Sequence, residues 1–197
     1  ERFDVDMRRA KRIVYAMLDL EKPLVCRLNG HAVGLGATLA LLCDVIFAVD
    51  TAKIGDPHVS VGLVAGDGGA FIWPQRIGYA RAKEYLLTGE LVPARVAAQI
   101  GLINHALPAA ELDAAVDAFC QRLLSGSTQA IRWTKVVANL ELKRIAHRQL
   151  ARARPPVGGG QLGQRGGGQA GHGVQKVAEV VVAVAHARHA GHRERVG

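Results

Sequence analysis

The feature that most constrains this chain is a glycine-bracketed junction between two apolar runs. Pro23-Leu24-Val25-Cys26-Arg27-Leu28 reads as a strand and Asn29-Gly30 as the turn after it. Gly34-Leu35-Gly36 then opens a short apolar helix running to about Cys43, and Asp44 punctuates it before a second buried strand, Val45–Val49. Two buried strands with a helix between them make an α/β layer unit.

The flanking sequence continues the alternation. Met7–Leu20 mixes charges with apolar residues at helical spacing, and Pro23 ends it. Another extended piece lies around Lys53–Gly55, followed by the loop Asp56-Pro57-His58. Gly66-Asp67-Gly68-Gly69 is a turn cluster leading into a helix through Ile77. Ala80–Leu87 and Pro93–Gln99 read as helices stopped by Gly89 and Gly101. Leu102–Ala106 reads as a strand, and Pro108 starts a helix over Ala109–Leu124. Ser125 and Ser127 are cap candidates for a last helix through Val136 toward Ile145. Trp73 and Trp133 read as core anchors on their helices. No internal repeat is present.

Charge and glycine divide the chain near residue 150. Residues 1–150 hold 18 Lys and Arg against 15 Asp and Glu, whereas residues 151–197 hold 7 against 2. The net charge of +8 is thus largely a property of the tail, and a basic nucleic-acid-binding face is not expected on the domain. The tail carries 11 of the 23 glycines, a strand-like run at Val180–Val184, and His186, His189 and His192. It reads as a flexible anion-binding tail, as a histidine-rich metal site, or as a shifted frame of a GC-rich gene. The third reading is preferred, and the functional argument rests on 1–150. No run reaches the roughly 18 apolar residues of a membrane span. The charged start Glu1-Arg2-Phe3-Asp4 does not read as a secretory signal. Cys26, Cys43 and Cys120, in apolar contexts without CxxC spacing, point to a reducing compartment and a cytoplasmic protein.

Several residues carry both a chemical and a structural reading. Gly34 and Gly36 at a helix start suit a phosphate or a developing oxyanion, or simply close helix packing. Asp67 among its glycines is a helix cap or a general acid/base. His58 is a solvated loop histidine or a proton carrier facing a cleft. Asp56 and Lys53 read as surface loop charges, and Thr38 as a helix residue bonding back to the preceding turn. No nucleophile elbow, P-loop or metal-ligand cluster is visible.

Taken together, these motifs resemble a known pattern. Lys22-Pro23-Leu24-Val25, then Asn29-Gly30-His31-Ala32-Val33-Gly34-Leu35-Gly36-Ala37 and Leu41-Leu42-Cys43-Asp44, are similar to the signature of the crotonase superfamily, the enoyl-CoA hydratase/isomerases. Pro57-His58-Val59-Ser60-Val61-Gly62, Gly66-Asp67-Gly68-Gly69, Leu87-Thr88-Gly89 and Ala97-Ala98 with Gly101-Leu102-Ile103 follow in the family's order, so that the resemblance covers roughly residues 5–148. It implies a ββα spiral, here partial, assembled as trimers or dimers of trimers. The implied substrate is a coenzyme A thioester, with coenzyme A part of the substrate and no further cofactor. Its carbonyl would become an enolate held by backbone N–H groups, one of them on Leu35. Gly34, Gly36, Thr38 and Gly66 would line the substrate.

The family's hydratases carry two glutamates, and Thr38 and His58 stand at the matching positions. Asp67 matches an aspartate that some isomerases and the naphthoate synthase branch use. The resemblance therefore implies Asp67 as acid/base with His58 as partner, in hydration or double-bond isomerisation of an enoyl-CoA. The family's early strands, acyl-CoA loop and second oxyanion donor would lie upstream of Glu1, which leaves open sheet edges as an expectation. The alternative is a non-catalytic crotonase-like protein or an inactive fragment.

Overall fold

The computed structural model describes residues 2–152 together with 183 and 184. Helix α1 (Arg2–Asp19) is followed by β1 (Leu24–Leu28), β2 (Ala32–Val33), α2 (Leu35–Leu41), β3 (Val45–Val49) and β4 (Lys53–Gly55). A 3-10 turn (Pro57–Val61) leads to α3 (Gly69–Thr88), β5 (Val92–Pro93), α4 (Ala94–Gln99) and β6 (His105–Leu107). Helices α5 (Ala109–Ser125), α6 (Thr128–Ala138) and α7 (Leu140–Arg152) follow, with β7 at Ala183–Val184.

Two small sheets share the strands in turn. One has the order β6-β3-β1-β7 and the other β2-β4-β5. Each pass of the chain leaves one strand in each sheet and then a helix: β1, β2, α2, and next β3, β4, α3. This is the expected spiral. β1 and β3 pair in parallel from Val25 opposite Val45 to Leu28 opposite Ala48, and β2 pairs in parallel with β4. Parallel neighbours need a crossover, which α2 supplies. Leu24, Val25 and Leu28 of β1, Ile46 of β3, Leu41 of α2 and Phe71 and Trp73 of α3 form the centre of the core, all buried. Helix α5 packs against β1 and β3, and the apolar runs of these strands stay in that core.

The sequence reading holds at most element starts, and Gly78, at φ 77° and ψ 162°, breaks α3 where one helix was expected to end at Ile77 and the next to begin at Ala80. The reading differs in four places. The expected strand at Leu102–Ala106 is only His105–Leu107. Leu102 and Ile103 are buried in the preceding turn, and the Asn104 side chain accepts from the Ile46 N–H at 2.8 Å. The single last helix is two, α6 and α7, with Ser127 accepting from the Ala130 N–H at the start of α6. Trp133 is a correction: it is 56% exposed, whereas Trp73 is fully buried. On the outer side of β1, Leu24 and Val25 pair with Val184 and Ala183 of β7, so that the expected open edge is covered there. The rest of the tail, with its glycine runs and histidines, lies outside the described residues. Among the described residues no helix is long and apolar enough to cross a membrane.

Candidate active site

Two helix entrances lie side by side, with Gly68 at the start of α3 packed on Thr38 of α2. At the first, Gly34 takes φ 57° and ψ −125°, a conformation a side chain would strain, and hands the chain to Leu35 as the first residue of α2. The first N–H groups of a helix have no acceptor within it, so Leu35 and Gly36 present donors at this end. At the second, Gly68 caps α3 and Asp67 immediately precedes it. Asp67 is buried, its Oδ1 has no hydrogen-bond partner, and the backbone N–H groups of Gly69 and of Asp67 itself act on its carboxylate. Thr38 lies below this turn. It is fully buried, and a Cβ on Gly68 would come within 2.5 Å of its methyl group. Its hydroxyl is unpartnered, which corrects the expectation that it bonds back along the helix.

His58 joins the two entrances. Asp56 caps the 3-10 turn, and its Oδ1 is hydrogen-bonded to His58 Nδ1. His58 Nε2 lies 3.6 Å from Asp67 Oδ2. A Cβ on Gly34 would sit 3.4 Å from His58 Cε1, so the imidazole edge rests against the α2 entrance. The structure thus brings Asp67, His58, Gly34 and the start of α2 together. It also corrects the reading of Asp56: this residue is 2% exposed and part of the cluster, while Lys53 is exposed as expected. A signal for Asp56 was present in Asp56-Pro57-His58, because a proline between the two fixes one backbone angle between carboxylate and ring.

The electrostatics follow from this arrangement. The hydrogen bond and charge of Asp56, with a smaller push from Asp67, raise the His58 pKa above its ordinary 6.5, against a desolvation that lowers it. Burial raises the Asp67 carboxyl above its ordinary 3.8, and the nearby His58 charge only partly opposes this. Because the folded His58 value is raised, the stability it contributes is complete below 6.5 and is lost as pH climbs through the folded value. Both groups thus keep their protons to higher pH than they would in water, which suits general acid/base work. Donor atoms of Asp56, His58 and Asp67 lie within 4.8 Å of one another, a cluster compact enough for a cation that the linear motifs did not reveal.

A cavity of about 450 Å³ opens elsewhere, between the end of α2, α3 and α5–α7, and none of the site residues line it. Arg76 there donates to the Leu41 and Cys43 carbonyls, and Lys135 pairs with Asp44. Its cations, Arg76 and Lys135, already have partners.

A family model described as enoyl-CoA hydratase/isomerase matches residues 7–154. The chain belongs to the enoyl-CoA hydratase/isomerase family. A crotonyl-CoA hydratase of Syntrophomonas wolfei is 38% identical over 128 residues, which are 65% of this chain and 48% of that protein. The chain spans about half the length of the curated relatives it matches. A crystal structure of an enoyl-CoA hydratase/isomerase from Mycobacterium paratuberculosis superposes with a TM-score of 0.68 at 40% identity, over 75% of this chain and 58% of that one. A β-diketone hydrolase of Anabaena superposes with a TM-score of 0.71 at 28% identity, over 76% of this chain and 62% of that one. Gly34→Ala is expected to lower turnover at least tenfold, because at φ 57° and ψ −125° it strains the backbone that presents Leu35. Steady-state kinetics alongside a melting curve check it.

Proposed function

We propose that the protein acts on an acyl-CoA thioester, stabilising its enolate and moving protons with His58 and Asp67. The observation that carries this reading is the chain Asp56–His58–Asp67 set against the glycine-bounded entrance of α2. The thioester oxygen is held by the Leu35 N–H, with Gly34, Gly36, Thr38 and Gly66 around the substrate. A donor of this kind lowers the barrier by about 3 kcal/mol when aimed at developing negative charge. His58 Nε2 takes a proton from the carbon beside the carbonyl, the C–H pair enters the enolate, and the proton returns at another carbon. That sequence is double-bond isomerisation; in hydration His58 takes the proton from water instead, the water oxygen bonds the β-carbon as the C=C electron pair enters the enolate, and a proton is delivered to the α-carbon. Coenzyme A belongs to the substrate and no separate cofactor is required. His58 and Asp67 belong to a crotonase-like domain over 1–150 that lacks the family's N-terminal part, in a homotrimer or dimer of trimers in the cytoplasm, without nucleic-acid or membrane partners.

A second reading is favoured by one observation, the His58–Asp67 pair 3.6 Å apart with no carboxylate at Thr38 or His58 where the family's hydratases carry glutamates, together with the likeness to a β-diketone hydrolase. Water activated at His58 would add to a ketone carbon. The carbon–carbon bond would then break with its electron pair entering an enolate, which takes up a proton. Chromatography with mass and ultraviolet detection, on full-length protein with 2- and 3-enoyl-CoA and with a cyclic β-diketone, separates the readings. Gain of one water or a shifted double bond on the thioester supports the first. Ring opening of the diketone alone supports the second, and no conversion of any of them overturns both.

A further inference from the structure

We propose that Asp56 is a positioning residue, whose buried carboxylate holds His58 through Nδ1 so that Nε2 is the nitrogen turned to Asp67 and substrate. This rests on the reading of His58 and Asp67 as the proton-transfer pair.

Three features of the structure carry it. First, the contact between Asp56 Oδ1 and His58 Nδ1 is the close one Asp56 makes. The capping contact of the same oxygen with the His58 backbone N–H is long, at 3.5 Å, and Oδ2 has no hydrogen-bond partner although Asp56 is only 2% exposed. A carboxylate buried at such desolvation and leaving one oxygen unbonded is not accounted for by its capping contact. Second, the carboxylate has a seat made for it. A Cβ on Gly69, the first residue of α3, would lie 1.8 Å from Asp56 Oδ2, so only glycine there leaves room. Third, the ring edge faces Gly34, where an added Cβ would already lie in van der Waals contact with Cε1 at 3.4 Å. The charged groups acting on the ring are Asp56, from the loop before the 3-10 turn, and Asp67, from the loop before α3.

The chemical consequence is a fixed tautomer. Neutral His58 carries its proton on Nδ1, donated to Asp56, and offers the Nε2 lone pair to a substrate C–H. When Nε2 takes that proton, the imidazolium formed faces the Asp56 charge, so the transferred proton is stabilised before it is returned.

The test is imidazole NMR of the full-length protein, with the His58 signals assigned by their loss in His58→Gln. Wild type is expected to show the Nδ1–H tautomer and a His58 pKa above 6.5. Asp56→Asn keeps an oxygen acceptor and removes the charge. It should retain the tautomer and lower the His58 pKa by about one unit or more. Asp56→Ala should lose the tautomer preference and reduce kcat about tenfold or more with KM little changed. In Asp56→Asn the pH limb of kcat should move down with the His58 pKa, a shift that a merely structural role would not produce. Unchanged His58 pKa and tautomer in the isosteric Asp56→Asn and in Asp56→Ala, or an Nε2–H tautomer in wild type, overturns the proposal. The spectra decide this whatever substrate is turned over. Absence of all enoyl-CoA conversion by wild type would overturn the functional reading instead.

Discussion

Asp67→Asn should abolish most turnover, by about 10² to 10⁴-fold, without lowering the melting temperature at neutral pH. The two halves of this result come from the same environment. Asp67 is 4% exposed, its Oδ1 has no partner, and burial outweighs the attraction of His58 in raising its pKa above 3.8. The folded state therefore binds this proton more readily than the unfolded state does. Stability then falls as pH rises from 3.8 through the raised folded value. Asparagine cannot ionise, so the variant should melt at the wild-type temperature or a few degrees above it at pH 7, with the difference vanishing in acid. Thermal melts at pH 4 and pH 7, beside a turnover assay, check both halves. Retained turnover would remove Asp67 from the mechanism; a large loss of stability would make it a structural residue.

The largest effect on stability is expected far from the site. Lys135 on α6 is buried, with its Nζ 2.8 Å from Asp44 Oδ2 and 2.8 Å from the Lys22 carbonyl. The same Asp44 oxygen accepts from the Leu24 N–H at 2.6 Å, so one carboxylate joins the start of β1 to α6. Asp44→Ala strands the ammonium and the N–H together, at a cost of about 3 kcal/mol and a fall of roughly 10 °C in melting temperature. Lys135→Met should cost much less, since it removes the buried charge and keeps the chain length. Asp44→Asn combined with Lys135→Met keeps an acceptor for Leu24 and should recover most of the loss. Strict additivity of the two single changes in denaturant titrations would show that the pair is not coupled.

Local signals made much of this molecule legible. Apolar runs between turn residues placed β1 and β3, and Gly34-Leu35-Gly36 placed the entrance of α2. Pro108 and Ser127 marked the starts of α5 and α6. Family-like order in these motifs brought Asp67 and His58 forward together, and the structure sets them 3.6 Å apart. What could not be read depends on distant partners. Asp56 looks like a loop charge until Gly69 supplies its seat from the next helix. Trp133 lies in an amphipathic pattern whose apolar side is left exposed on α6. The break between α6 and α7 falls at Asn139, with neither proline nor glycine to announce it. Thr38 has the sequence context of a helix hydroxyl, and only packing beneath Gly68 leaves its oxygen unbonded.

The contrast between the two tryptophans gives the protein its own optical labels. Trp73 is sealed one turn below Gly69, with its ring 6.0 Å from Tyr85, while Trp133 is 56% exposed on α6. The sealed indole emits at shorter wavelength and is shielded from aqueous quenchers; the exposed one emits to the red and is quenched readily. Iodide added to one cuvette silences the helix surface and leaves the glow from beneath the α3 entrance. Events at that entrance and loosening of the outer helices can then be followed in different colours, without attaching a dye.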